Sequence, residues 1–282
     1  AFMFILTSMS RKDYVWHGNC DLRLIKKSVP VGSLNSYTSY QVKSSAPFKI
    51  MRGSNDSDGR FEVPILHTAG GLVGGDQLAL KVDADKETRC LLTTVAAQKV
   101  YGSVGISTIH PEGKWAKQDC NFSIQEHADM EWLPQELVLF GEGLFKQTMR
   151  VNLFSESSFI SAEVVRLGRT ASGEKLGSGC WRSHLEVSRH FPERQEWEFI
   201  DRLELGGGSI FSEHGIGDNP VFGSMIWIAP TSISKETLDK LVETCLLERQ
   251  QLHGSMCCSA LKHGLSARYL GSSSQAARYW FC

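Results

Sequence analysis

Four residues in this chain have the type and setting to do chemistry. His67 and Asp76 bracket the glycine-rich stretch HTAGGLVGGD, Glu163 stands alone among apolar residues in FISAEVVRLG, and Asp201 lies in EFIDRLEL. An acid among buried strand residues is unfavourable unless it is hydrated or paired. One chemistry open to His67, Asp76 and Glu163 is that of a small metal-dependent hydrolase. It requires the three groups to converge within hydrogen-bond reach in a closed pocket. The plainer alternatives are a structural histidine, a turn-stabilising Asp76, and salt bridges from Glu163 and Asp201 to Arg166, Arg169 or Arg202.

Other local motifs are tested and fall away. A phosphate loop needs a lysine and a hydroxyl residue after its last glycine, whereas Asp76 and Gln77 follow here. G-x-G-x-x-G is absent, GSGCW at 177–181 is no nucleophile elbow, and the nine histidines form no H-E-x-x-H helix. Glu126-His127 beside Asp129 reads as a metal patch or, more simply, a polar turn. The eight cysteines contain no C-x-x-C pair, and the adjacent Cys257-Cys258 is not zinc spacing. Cys90 and Cys245 sit among apolar neighbours as small hydrophobes, and free thiols in a reducing compartment are expected.

The elements that must position these residues are mostly strands. QLALKVDA, KQTMRVNLF and RSHLEVSR alternate apolar and polar residues, RCLLTTVA is a short buried-looking run, and SFISAEVVRLG is apolar on both faces. Period two with frequent breakers predicts a sandwich, barrel or β-helix rather than alternating βαβ units. One helix is predicted from Ser234 through SKETLDKLVETCLLERQQL, with Ser234 as cap and Gly254 as stop. A second begins in SSSQAARYWFC and breaks off in mid-pattern, which reads as a truncated C-terminus. RGSNDSDGR (52–60) is a loop by composition. The expected fold is mostly β, a layered scaffold of many strands with a few helices, mainly C-terminal. It forms a single domain over residues 1–282.

Bulk properties exclude several classes. Thirty Lys and Arg against thirty-one Asp and Glu leave a net charge of −1, so no basic field recruits nucleic acid or an acidic membrane. The N-terminal AFMFILTSMSRK is too short to span a bilayer and lacks the parts of a secretory signal. It reads as a flexible end or an edge strand of a cytoplasmic protein. The chain begins with Ala1 rather than Met and so reads as processed or partial.

Taken in order, LHTAGGLVGGDQL (66–78), LLTTVAAQKVYGS (91–103), MEWLPQELVLF (130–140), RLGRTASGE (166–174), HLEVSR (184–189) and DRLEL (201–205) are far more specific than any one alone. This series resembles the urease accessory protein UreD (UreH) family from about residue 15 to the end. The chain departs from the family's usual pattern at three places. Thr68-Ala69 replaces a proline pair, Val95-Ala96 replaces Pro-Gly, and Gly102 replaces an arginine.

The resemblance implies a maturation factor and chaperone that is not an enzyme, with a β-helix-like array of strands. Its implied partners are apo-urease and the accessory proteins UreF and UreG, the latter a GTPase. Its implied task is to assist nickel insertion into the urease active site, through an internal tunnel and with no tightly bound cofactor. Such a conduit needs ligands that hold nickel(II) loosely. Imidazole and oxygen donors suit that task, whereas two sulfurs with an imidazole would trap the ion. Asp76, Glu163 and Asp201, acids that the family also carries at these motif positions, and His67 as an entry ligand are therefore the expected transient nickel path. In EWLPQELVLF, Trp132 and Leu133 are expected to pack and Pro134 to end the run. The glycine pairs are expected to shape a tunnel wall, a partner surface or a strand-to-strand turn.

Overall fold

The alternating stretches fold as strands whose apolar positions share one interior. Gln77–Ala84 (β6) buries Leu78, Leu80, Val82 and Ala84, and Ala116–Ile124 (β9) buries Ala116, Cys120, Phe122 and Ile124. A computed structural model describes residues 15–28 and 36–282 of the chain. The N-terminal apolar run lies outside them.

Two sheets face each other. The first runs β15-β14-β12-β9-β6-β1-β2. Here β1 is His17–Ser28, β2 Ser36–Ser44, β12 Leu144–Leu153, β14 Cys180–His190 and β15 Gln195–Gly206. The main path of the second runs β17-β18-β16-β13-β10-β7-β5-β3. Its members are β3 (Phe48–Ile50), β5 (Phe61–His67), β7 (Arg89–Thr94), β10 (Asp129–Trp132), β13 (Ser158–Leu167), β16 (Val221–Ile228), β17 (Ser255–Leu261) and β18 (Gly264–Gly271). Three short pieces complete it: β4 (Ser54–Asn55), which interrupts the expected loop, β8 (Gln98–Val100) and β11 (Leu137–Leu139).

From β5 to β14 the chain shuttles between the sheets. Neighbours β1, β6, β9, β12 and β14 are parallel, as are β5, β7, β10 and β13. A parallel pair needs a long return connection, and the strand laid down in the opposite sheet supplies it. The chain then closes with antiparallel pairs, β14 with β15 in the first sheet and β13-β16-β18-β17 in the second.

Two helices lie on the outer face of the second sheet. Lys235–Glu248 (α2) starts after Ser234, whose hydroxyl accepts from Thr237 N at 3.2 Å. Ser274–Phe281 (α3) is capped by Ser273, which accepts from Ala276 N at 3.1 Å. With a third, one-turn helix at Gly208–Phe211 (α1), these are the α-helices among the described residues. None is long and apolar enough to cross a membrane. Phe281 and Ala277 join Val164, Tyr269 and Met256 in an outer core. All eight cysteines are free; Cys90 is buried and Cys245 only partly so.

Candidate functional site

Three neighbouring strands of the second sheet stop in a staggered series. β5 ends at His67, β7 at Thr94 and β10 at Trp132, each end two residues short of the one before it (Ile65 is opposite Thr94, Leu92 opposite Trp132). Pairing resumes beyond the gap, where Leu72 meets Val100 and Gln98 meets Leu137. Pro134, which has no N–H to give a ladder, sits in the interruption. So do Gly70 and Gly71, with φ of +75° and +153°. A Cβ on Gly71 would lie 2.6 Å from the Tyr101 ring and 3.0 Å from Lys99 O. That stretch of chain can fold back against its neighbour only as glycine.

The next strand, β13, runs on past the gap. Ser161 pairs with Trp132 and Val165 with Leu137, so Glu163 faces the interruption between them. Behind the break lies a cavity of about 330 Å³, walled by His67, Gly71 and Pro134 on the side of the break and by Gln118, Gln147 and Glu163 within.

The cavity, its walls mostly apolar, lies where a layer of polar side chains separates two apolar cores. On one side Leu80, Phe122, Met149 and Phe159 pack across the sheets. On the other, Leu78, Phe145, Val165 and Trp181 do so. Between them Gln118, Gln147 and Ser183 stand side by side on β9, β12 and β14. Opposite stand Glu163, Ser224 and Arg268 on β13, β16 and β18. Gln147 Nε2 donates across the layer to Glu163 Oε2 at 2.7 Å and to Ser183 Oγ at 3.1 Å. Arg268 donates to Ser224 Oγ and to Asp201 Oδ2, each at 2.5 Å.

Glu163 is packed deep in protein, yet part of its surface remains reachable by water. The cavity reconciles the two, because that surface lines it. Burial pushes its carboxyl up to about 7, and the nearby negative charge of Asp201 adds to the rise. Trp132 and Gln147 pull it back. The indole N–H of Trp132 contributes by proximity, since Nε1 is buried with no hydrogen-bond partner. None of the described residues forms an ion pair with Glu163; Asp201 is instead neutralised by Arg268.

The other two predicted residues differ in setting. Asp76 is fully buried. Its Oδ1 accepts from Trp16 N at 2.8 Å and its Oδ2 from Val73 N at 2.9 Å, so both oxygens fasten loop backbone. It is not among the groups lining the cavity. His67 does line it, with Nε2 buried and unpartnered. Burial lowers its pKa, opposed by the charge of Asp76, so the imidazole is neutral at pH 7. The structure thus brings His67 and Glu163 to one cavity, leaves Asp201 off its lining and paired with Arg268, and holds Asp76 apart. His67, Asp76 and Glu163 make no hydrogen bonds to one another, and no acid–base pair is aligned among them. Glu126, His127 and Asp129 form a turn tied to Lys86, Glu156 and Ser158.

The donors facing the cavity are a carboxylate, amides, a hydroxyl and an imidazole. That set suits loose, exchanging contact with a hydrated divalent ion. Among the described residues no three His, Cys, Asp or Glu side chains converge to hold a metal. Cys120, two residues from Gln118 on β9, is buried with its thiol pushed up to about 12 and receives Gln118 Nε2 at 3.6 Å. It stays protonated and is no thiolate trap.

Sequence reasoning did not single out Gln118, Gln147, Ser183 and Arg268. Strand phase carries the signal for the first three. Gln147 is in step with Met149 and Val151, Gln118 with Cys120 and Phe122, and Ser183 with Leu185 and Val187.

The chain was compared with known proteins. The family model described as UreD urease accessory protein matches residues 21–282. A urease accessory protein UreD of Prochlorococcus marinus (strain MIT 9303) is 53% identical over 269 residues, covering 95% of this chain and 90% of that protein. The protein of that name in strain NATL2A is 52% identical over 267 residues, 94% of this chain and 87% of its own length. Its counterpart in Synechococcus sp. (strain WH7805) is 50% identical over 269 residues, with shares of 94% and 84%.

Proposed function

Because the chain belongs to the UreD urease accessory protein family, we propose that it is a urease maturation factor without catalysis of its own. It joins apo-urease and the accessory proteins UreF and UreG, a GTPase, in the cytoplasm. There it assists nickel insertion by letting the ion pass along the polar layer. Nickel(II) is cargo, entering at the break past His67 and handed on by Glu163 toward Asp201. Asp76 belongs to this path as the anchor of the loop that forms the wall, acting on His67 through its charge.

The observation that carries this reading is the cavity itself. It opens where three neighbouring strands break off in turn and reaches a largely buried carboxylate that has no cationic partner among the described residues. A carboxylate in that position is stabilised by a passing cation, and its neutral neighbours hold such an ion only loosely. The break also supplies an entry that an ordinary sandwich core lacks.

The test has two parts. The tagged chain is co-expressed with the urease subunits, UreF and UreG, then pulled down. Urease from cells carrying Glu163→Gln in place of the native chain is analysed for nickel. The expected result is a complex that still assembles around the variant, with urease present but nickel-poor. Full nickel content would sink the conduit, and failure to capture UreF or urease with the native chain would sink the docking role.

A further inference from the structure

The feature the proposed path leaves unexplained is Gln147. It stands inward on β12 between Phe145 and Met149, where its neighbours in phase are apolar. A polar side chain there is retained at a stability cost unless its groups are satisfied. Both bonds it makes run from one atom. Nε2 gives its protons to Glu163 Oε2 and to Ser183 Oγ. The amide is thereby fixed in one orientation, because a flipped amide would set its carbonyl against the carboxylate. Among the described residues its carbonyl oxygen and the second oxygen of Glu163 have no hydrogen-bond partner, and both residues line the cavity.

Resting on the nickel-path reading, we infer that Gln147 is a positioning residue that sets how tightly the cavity holds its ion: it locks Glu163 in place and offers a neutral carbonyl where a second carboxylate would trap the cargo. Three consequences follow from the chemistry. Oxygen donors without a second charge keep a divalent ion exchanging quickly. The fixed carboxylate presents one oxygen to the cavity instead of sampling several rotamers. The hydrogen bond to Ser183 ties that geometry to a third strand, β14, so it does not depend on one side chain alone.

The discriminating variant is Gln147→Glu, which keeps the length and shape and adds the charge. Nickel(II) chloride is titrated into the full chain in competition with a metal-indicator dye, and nickel content of urease is measured in cells carrying each variant. The expected outcome is a split: nickel affinity rises roughly tenfold or more, while nickel delivered to urease falls. A residue with a merely structural role would not tighten binding while slowing delivery. Gln147→Leu, which lacks both the bond and the carbonyl, is expected to bind nickel several-fold more weakly with little change in thermal stability. It carries the test if Gln147→Glu does not fold.

Unchanged or weaker affinity in folded Gln147→Glu overturns the inference, as does unchanged affinity in Gln147→Leu. The underlying reading is judged separately by Glu163→Gln. If that variant delivers nickel normally, the path itself fails. If it is deficient while Gln147→Glu binds no tighter, only the role of Gln147 is lost.

Discussion

Gln147 Nε2 lies 2.7 Å from Glu163 Oε2, and this bond joins the two sheets at the layer where their apolar cores part. It makes Glu163 a fixed object rather than a flexible one. It does not neutralise it, because an amide supplies a dipole and no charge. The carboxyl therefore keeps a value of about 7, set mainly by burial, and several consequences can be measured.

The first concerns stability and pH. A carboxyl held at about 7 in the folded chain, against 4.5 ordinarily, retains its proton longer when folded than when unfolded. Between those two values the folded state binds the extra proton, so stability falls as pH rises and levels off above about 7. Glu163→Gln removes this dependence. In chelator-treated buffer the variant is expected to exceed the native chain at pH 8 by on the order of 3 kcal/mol. The difference should close as pH falls toward 4.5. Urea unfolding of both proteins across this window checks it, and parallel curves would refute the assignment to Glu163.

The second concerns Asp201, whose negative charge helps to raise Glu163. Asp201→Asn removes that repulsion and leaves the Arg268 guanidinium uncompensated nearby. Both changes favour the ionised carboxylate. In the Asp201→Asn background, the pH midpoint separating the native side chain from Glu163→Gln is expected to move below about 7. An unmoved midpoint would show that the two acids do not feel each other.

Much of the fold was legible in the residue order because strand and helix periods are local. QLALKVDA is β6 from end to end, and the capped helix begins one residue after Ser234. Glu163 was legible because one acid in an apolar run has few harmless explanations. The partner of Asp201 was not: Arg268 comes from a strand sixty-seven residues further on, while the nearby arginines 166, 169 and 202 pair elsewhere. The parallel shuttling between sheets was equally hidden, since alternation states which face is buried and not which strand lies alongside. Gln147 was overlooked because a glutamine among alternating residues reads as solvent-facing unless its phase is counted. Thr68-Ala69 and Val95-Ala96 fall in the strand break, at turn and bend positions outside the ladders.

The third prediction lies away from the cavity. Arg189 is buried, donating from Nε to Glu198 Oε1 at 2.5 Å, from Nη1 to Ser157 O at 2.9 Å and from Nη2 to Ala229 O at 2.8 Å. Glu198 Oε2 meets His263 Nδ1 at 2.7 Å. This network clamps β14 and β15 to loops of the other sheet. Glu198→Ala strands a buried guanidinium, and a loss of about 3–5 kcal/mol in unfolding free energy is expected. Chemical denaturation measures it, and a loss below about 1 kcal/mol would mean that water reaches Arg189 readily.

The last prediction separates Asp76 from Glu163. Asp76 is fully buried and Glu163 largely so, but their oxygens are used differently. Asp76 gives one oxygen to Trp16 N and the other to Val73 N, which holds the glycine-rich loop against the start of β1. Asp76→Ala leaves both amides without an acceptor, and two charge-assisted bonds together account for about 3 kcal/mol of lost stability. Asp76→Asn keeps one acceptor oxygen and is expected to recover about half of that. Glu163→Gln, by contrast, is expected to cost nothing in stability at pH 8 while lowering nickel in urease. Thermal unfolding and urease nickel content measured on the three variants should fall into two patterns, a stability loss graded with acceptor number at 76 and a delivery loss without destabilisation at 163. Equal destabilisation at both sites would make Glu163 a structural acid like Asp76. A stable Asp76→Ala with impaired delivery would move Asp76 from the wall of the path into the path itself.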